Sequence, residues 1–595
     1  MSINSTKQDE MILTLPRTRV LKRLFSYLKP YGLKVFIVIL LLIFVMIVGL
    51  VNPYFLKISI DKYIGNSDYN GLMLLALLFI VLNVASMIAS RFRILIMSSV
   101  TNNALVNIRN DLYTHIQKLG FAFFDSRPVG KILARVIGDV NALGDLFTNS
   151  VTSLIPELLS LICVTFIMFF MNAKLALASI ALLPVLFILM FSIETISRRK
   201  WEVYRSKRSN LNAYTHENFS GVKIVQGFAN ENLTNKNFST LLTDMLDRFM
   251  DAVRYNDFFW PLVELSWGIG TIIVFLNGIR LIDSNEITIG TLIAFTMYIG
   301  MFWRPIVNIS NFYNTLITNF AAAQRIFEIM EINPDIYSID SAEVFPEIKG
   351  TVEFKDVTFS YDSKKKVLNN VSFKVNPGEN IALVGPTGAG KTTIVNLISR
   401  FYDATNGKVL IDNKNIKHMD LESLRSQMGI MLQDTFLFSS TIKENIRYGK
   451  LNATDEEVIA AAKAVNAHDF IVKLENGYDT EVSERGSKLS VGQRQLLSFA
   501  RALLANPRIL ILDEATSNID THTEKLVQQG IEKLLTGRTS FVIAHRLSTI
   551  RDCDRIMVID DGRIIESGTH DELIELKGSY YSLYMSQYKL MNEGA

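Results

Sequence analysis

Nine consecutive residues, Gly385-Pro386-Thr387-Gly388-Ala389-Gly390-Lys391-Thr392-Thr393, match the pattern G-x-x-x-x-G-K-[ST] at every fixed position. Glycines allow backbone N–H groups to approach phosphate oxygens. A helix that begins where the loop ends adds its positive dipole end. Lys391 is placed to reach the β and γ phosphates of a nucleotide, and Thr392 to put a hydroxyl on Mg²⁺. So short a pattern can arise by chance, and its flanks decide. Residues 381–384 form a compact apolar strand running into the loop, and residues 392–399 read as a helix. This is the strand–loop–helix context that phosphate binding needs.

A second stretch, Ile509-Leu510-Ile511-Leu512-Asp513-Glu514, is an apolar strand that ends in two acids. The carboxyl ends of buried strands are where an α/β sheet presents its chemistry. Asp513 is expected to hold Mg²⁺, directly or through water. Glu514 is expected to polarise an attacking water as general base. Taken alone, the two acids also fit the cap of a following helix. Beside a phosphate loop, the catalytic reading is preferred.

These residues sit in the polar half of a long chain. The protein has 595 residues, too many for one core, and two or more domains are expected. Its apolar fraction is 49%, high for a wholly soluble protein. A net charge of +3 gives no reason to expect nucleic acid as the main partner. The two cysteines, Cys163 and Cys553, are far apart and suit a reducing interior rather than a disulfide framework.

Apolar runs concentrate before about residue 315, over 35–51, 72–90, 154–171, 175–193, 258–276 and 287–309. Most are long enough to cross a hydrocarbon core of about 30 Å as helices. The expected architecture is an all-α membrane domain of six spans, residues 35–320, fused to a soluble α/β phosphate-loop domain, residues 351–595. Residues 321–350 read as a linker. Residues 1–34 read as a cytoplasmic tail with an interfacial helix over 20–31, ending at Pro30.

Segments near 60–71, 172–174 and 277–286 are short and poor in Lys and Arg, whereas 91–149 and 194–257 are long and rich in both. The positive-inside rule places the long segments, the N-terminus and the polar half in the cytoplasm. The long segments keep a helical period, as in Leu105, Ile108, Leu112, Ile116 and Leu119. The membrane helices are therefore expected to continue some 15–20 residues past the bilayer, roughly 25–30 Å. Breaks at 125–130 and 218–221 mark the expected tips, where short helices can press on the soluble domain.

Leu489-Ser490-Val491-Gly492-Gln493, followed by Arg494-Gln495 and Arg501-Ala502-Leu503, resembles the signature of ATP-binding cassette (ABC) transporters. The chain is similar to a half-transporter of the exporter type over roughly residues 20–590. The resemblance implies further roles. Tyr361 matches the aromatic that stacks on adenine, and Gln433 the glutamine that senses Mg²⁺ and water. Glu484-Arg485-Gly486 matches a segment beside the membrane-helix tips. Asp520, in Ser517-Asn518-Ile519-Asp520, lies in the loop that crosses between subunits, and His545 matches the histidine that contacts the γ-phosphate. It also implies that the phosphate loop of one subunit closes over ATP on Ser490, Gly492 and Gln493 of another. Val491 stands where glycine is commoner, and Ser-Asn-Ile-Asp replaces Ser-Ala-Leu-Asp. Both departures leave open pairing with itself or with a diverged sister.

The function expected is ATP-driven export of hydrophobic or amphipathic small molecules by a dimer in the cell's inner membrane. Lipid or glycolipid flipping is the runner-up. A non-transport ATPase on the same cassette fits poorly with six fused spans. A peptide exporter that trims its cargo is expected to carry a Cys/His pair near its start, and none precedes residue 35. Fusion of membrane and cassette parts disfavours an importer. Intramembrane acids Glu157 and Glu264 either face a cavity and favour cationic cargo or pair with other helices. Phe258, Phe259, Trp260, Trp267, Phe302 and Trp303 either line a pocket or serve packing and anchoring.

Overall fold

A computed structural model describes residues 15–593, except 181–182, 339–341, 362–364, 432–434, 484–485, 487, 514–520 and 544–549. The chain divides into two units. One comprises Ser5–Thr114 and Gly130–Glu331, and the other His115–Val129 with Ile332–Ala595.

The first unit is helical. It begins with α1 (Arg17–Ser26), which buries Val20 and Leu24 and leaves Phe25 exposed. The sequence places this helix over 20–31; it instead starts after Pro16 and ends before a separate 3-10 turn, Lys29–Tyr31, that contains Pro30. Proline fits the first turn of a helix, where its missing N–H has no intrahelical acceptor to lose. α2 (Gly32–Ile58) follows and runs on as a π-helix to Ile64. α3 (Tyr69–Lys118) is 50 residues long, about 75 Å at the α-helical rise. Its far half buries Leu105, Ile108, Leu112 and Ile116, and Leu119 just past its end is buried too, the periodic set in the sequence. After α4 (Phe121–Asp125), which belongs to the other unit, come α5 (Val129–Leu133), α6 (Val140–Asn149) and α7 (Ile155–Met171), these three joined by π-helical turns.

α8 (Ala173–Ile180), α9 (Leu183–Ser220), α10 (Val222–Gly227), α11 (Glu231–Asn256), α12 (Phe259–Asp283) and α13 (Ile289–Met330) complete the unit. Among the described residues four helical stretches are long and apolar enough to cross a membrane: Lys29–Ile64, Tyr69–Lys118, Glu264–Asp283 and Ile289–Ile306. Ile155–Met171 is a shorter apolar helix. The expected span over 175–193 falls on α8 and the start of α9, with residues 181–182 between them outside the described set. α13 is central: Phe295, Tyr298 and Phe302 are buried against Val164 and Met168 of α7, Leu175 of α8 and Val274 of α12. Its N-terminus is held by Thr288, whose hydroxyl caps Thr291 N–H, and by the Asp61 carboxylate, which accepts from Gly290 N–H at 2.9 Å.

α13 also corrects the linker. Residues 321–330 are its last turns, with Ala323, Ile326, Phe327 and Ile329 buried. No glycine or proline interrupts the run before Pro334, so propensity favours continuing the helix.

The second unit contains two sheets. Strands β1 (Val352–Phe359), β2 (Leu368–Val375), β4 (Asn406–Ile411) and β5 (Lys414–Asn415) form an antiparallel sheet in the order β2-β1-β4-β5. Strands β3 (Asn380–Val384), β6 (Met428–Met431), β7 (Ile509–Asp513), β8 (Thr539–Ile543), β9 (Arg555–Asp560) and β10 (Arg563–Gly568) form the other, in the order β10-β9-β3-β8-β7-β6. All its pairings are parallel except β9 with β10. Its helices are α14 (Lys391–Ile398), α15 (Leu421–Arg425), α16 (Ile442–Arg447), α17 (Asp455–Ala464), α18 (His468–Ile471), α19 (Val491–Ala505) and α20 (Thr521–Leu535), followed by two C-terminal helices.

Alternation along the central strands explains how they are held. Ile381 and Leu383 pack with Phe354, Ile394 and Val395 on one face, while Ala382 and Val384 pack with Leu496 and Phe499 of α19 on the other. Ile509 and Ile511 share the first face, Leu510 and Leu512 the second. Burial on both faces is why these strands read as unbroken apolar runs.

Candidate functional site

The phosphate-loop motif lies between β3 and α14. Gly385, Gly388 and Gly390 all have positive φ, at 150°, 84° and 111°. At Gly385 a Cβ would fall 2.1 Å from the Ile559 carbonyl oxygen, so glycine is required by space as well as by conformation. Pro386 and Thr387 fill the turn between the first two glycines, and the Ala389 N–H closes it onto the Pro386 carbonyl at 3.2 Å. Lys391 is buried, and its ammonium donates to the carbonyls of Gly385 at 2.7 Å and Pro386 at 2.9 Å. Burial lowers its pKa, and the Asp513 carboxylate acts in the opposite direction. The two charges therefore share one neighbourhood. Thr392 is exposed beside them, while Thr393 is buried.

Strand register explains how residues over 120 positions apart meet. Leu383 of β3 and Asp513 of β7 are both paired with Ile543 of β8. Two inter-strand steps separate them, about 10 Å. Gln433, Glu514, Asp520 and His545 lie outside the described residues, as do Glu484 and Arg485. The strands leading to three of them are described. β6 ends two residues before Gln433, β7 immediately before Glu514, and β8 two residues before His545. Because β3, β8, β7 and β6 are adjacent and parallel, the carboxyl ends of these four strands lie along one edge of the sheet. That edge is where an open α/β sheet holds its ligand. Thr392 and Asp513 provide hard oxygen donors there. They suit Mg²⁺, which takes one or two protein oxygens together with phosphates and water.

Tyr361 is half exposed. Its ring meets Phe359 and Tyr402 edge-on, with centroids 4.8 and 5.0 Å apart. Its hydroxyl lies 3.1 Å from Thr393 Oγ1 and accepts from Asn396 Nδ2 at 3.4 Å. Ser490 is the N-cap of α19. Its hydroxyl accepts from Gln493 N–H at 3.2 Å, and the Gln493 side chain accepts from Ser490 N–H at 2.9 Å. This reciprocal capping box gives Gln493 a structural task that the signature reading overlooks, although S-x-x-Q before an apolar run announces it. Gly492 is buried in the first turn and Val491 is exposed. The capping box takes the Ser490 and Gln493 N–H groups, which leaves those of Val491 and Gly492, without intrahelical acceptors, for an anion.

The short helix at the first expected tip meets the soluble domain, as the sequence leads one to expect, but the sequence does not mark the residues that receive it. α4 belongs to the same unit as the phosphate loop. Phe121 packs against Phe401 with ring centroids 4.2 Å apart and the planes tilted by 36°, and Tyr402 donates a hydrogen bond to the Asp125 carboxylate. No local signal marks Phe401 or Tyr402 as receivers. In the membrane unit, Glu157 accepts from Asn308 Nδ2 of α13, while Glu264 is exposed on α12. The six aromatics differ in setting: Phe302 is core, whereas Phe258 and Trp267 are exposed. The side chains of Phe259, Trp260 and Trp303 lie outside the described residues.

The chain matches two family models, the ABC transporter transmembrane region over residues 35–306 and the ABC transporter model over residues 368–517. It is 45% identical to an uncharacterized ABC transporter ATP-binding protein, YknV, of Bacillus subtilis, over 95% of this chain and 94% of that protein. It is 36% identical to an ATP-dependent lipid A-core flippase of Syntrophus aciditrophicus, over 96% of this chain and 95% of that one. Among solved structures it resembles a bacterial Atm1-family ABC exporter with ATP bound, with a TM-score of 0.79 and 28% identity over 93% of this chain and 99% of that one. A helical membrane unit and a phosphate-loop sheet in one polypeptide, matched along nearly its whole length, make this chain a member of the ABC transporter family, a half-transporter of the exporter type whose ATPase domain drives transport.

Proposed function

We propose that two copies of this chain form an exporter of hydrophobic or amphipathic small molecules, with each ATP held between the phosphate loop of one copy and α19 of the other. The observation that carries the nucleotide part is the common carboxyl edge of β3, β8, β7 and β6. In this reading the loop amides and Lys391 take the phosphates, and Thr392 and Asp513 hold Mg²⁺, with Gln433 at its margin. Tyr361 stacks on adenine. Glu514 accepts a proton from the attacking water, and His545 steadies the γ-phosphate. Ser490, Gly492 and the free amides of α19 meet the γ-phosphate from across the interface, with Asp520 in the crossing loop. ATP thus joins the two ATPase domains, and its hydrolysis weakens the joint. The membrane helices alternate between inward and outward arrangements accordingly.

Unsatisfied apolar surface supports the dimer. Met73, Leu74, Leu77 and Ile80 of α3 are each more than half exposed, as are Phe219, Ile224 and Phe228 around α10. The first group suits lipid or another membrane helix. The second lies in a segment read as cytoplasmic, where an apolar patch calls for a protein partner. The membrane is taken as the cell's inner membrane, with the N-terminus and ATPase domain inside, on the strength of the basic long loops. Lipid flipping is the second reading, and the flippase relative favours it.

Glu514→Gln tests the assignment. The variant should bind ATP with affinity near that of the parent while steady-state hydrolysis falls by about 10²–10⁴, the usual contribution of a general base. Hydrolysis at the parental rate by the purified variant removes Glu514 from the role. ATPase stimulation across a panel of drugs, lipids and peptides then decides the cargo class.

A further inference from the structure

We infer that Tyr402 is a positioning residue that links the base of the bound nucleotide to the helix tip α4, through Tyr361 on one side and Asp125 on the other. The inference rests on the reading of Tyr361 as the adenine-stacking residue.

The turn that carries Tyr402 is firmly fixed. Arg400, two residues earlier, has a left-handed backbone with φ 50° and is only 2% exposed. Its guanidinium pairs with Asp403 at 3.2 Å and donates to the carbonyls of Met419 at 2.9 Å and Tyr337 at 3.2 Å. A buried charge so fully bonded sets the direction of the two residues that follow. Both grip α4. Phe401 lies against Phe121 on one side, with the Arg425 guanidinium 5.2 Å from its ring centre. Tyr402 takes Asp125. Phe121 and Asp125 are four residues apart and so share one face of the short helix. Adjacent residues of one turn therefore hold both ends of one helical turn.

The same Tyr402 ring faces the nucleotide side. It stands perpendicular to Tyr361, with centroids 5.0 Å apart and an interplanar angle of 90°. Phe359 closes the cluster against both rings. Tyr361 is in turn tied by its hydroxyl to Thr393 and Asn396 of α14, the helix that starts at the phosphate loop. Edge-to-face contacts are directional, so tilting one ring tilts the other. Burial, and then the Asp125 carboxylate, raise the Tyr402 pKa, so the phenol stays protonated and keeps donating. Docking of α4 fixes Tyr402, and Tyr402 fixes the angle at which Tyr361 meets a base. By linkage, a stacked base strengthens docking of α4 by the same factor.

The test uses the full-length protein in lipid nanodiscs and two ligands, ATP and ribose 5′-triphosphate, which has no base to stack. Tyr402→Phe keeps the ring cluster and removes only the link to Asp125; Asp125→Ala cuts that link from the other end. Each should weaken ATP binding by about five- to tenfold, within the usual span of coupling between sites. Binding of ribose 5′-triphosphate should not change. In a Tyr361→Ala background neither substitution should weaken ATP binding further. Equal weakening of both ligands marks Tyr402 as merely structural and overturns the inference, as do unchanged ATP affinity or effects that add to that of Tyr361→Ala. If Tyr361→Ala alone leaves ATP affinity unchanged, the stacking reading fails first. If it weakens ATP while Tyr402→Phe does not, the link alone fails.

Discussion

Lys391 donates to the two carbonyls at the entrance of its own loop, and among the described residues the charge that favours its protonated form is Asp513. A buried ammonium paired so sparingly gains strongly from a phosphate, because hydrogen bonds to charged groups contribute about 1.5–3 kcal/mol. Lys391→Ala should therefore weaken ATP binding about ten- to a hundredfold by that measure, read by direct titration of the purified protein. Unchanged affinity would mean that the loop amides alone carry the phosphates. At this scale the sequence was informative wherever chemistry fixes spacing. Gly385, Gly390 and Lys391 could be read because a loop that cradles phosphate tolerates few alternatives. Tyr402 could not. It owes its position to Asp125, 277 residues earlier in the chain, and a tyrosine after a phenylalanine carries no mark of that partner.

Among the elements, the boundaries that sequence placed best are those of doubly buried strands. β3 and β7 begin and end within a residue of their expected positions, because each is an apolar run stopped abruptly by a glycine or an acid. The first ten residues of the linker expected over 321–350 are instead the last turns of α13, since that expectation rests on a domain change that propensity does not mark. α19 shows a subtler lapse. Ser490 and Gln493 were assigned wholly to the nucleotide, yet they cap one another. The two tasks separate by substitution. Ser490→Ala should cost about 1 kcal/mol of stability through the lost cap, seen as a lower unfolding midpoint of the purified protein. Ser490→Asn keeps a capping oxygen, so it should hold the midpoint while still losing ATPase activity, because its amide does not reproduce the hydroxyl at the phosphate. If Ser490→Asn hydrolyses ATP normally, the residue acts as a cap alone.

For the whole molecule, the question is what covers the apolar surface that one chain leaves open. The lipid bilayer accounts for the exposed side chains of α3 within the span. It does not account for Phe219, Ile224 and Phe228, which are 75%, 66% and 76% exposed around a short helix at the end of a segment carrying Arg198, Arg199 and Lys200. Scattered apolar residues need no explanation, but three large ones within ten positions, set at a break between two long helices, form a patch that water disfavours. A second copy of the chain is the simplest cover, since it would complete the ATP sites in the same step and closed two-fold pairing is the commonest symmetry of such assemblies. Native mass measurement of the chain expressed alone should give twice its 67.3 kDa. Ile224→Asp together with Phe228→Asp should shift that population towards single chains or lower ATPase activity, while ATP affinity at Lys391 holds. A chain that remains single at every concentration tested, yet hydrolyses ATP at the full rate, would refute pairing with itself, and the exposed patch would then belong to a different partner subunit.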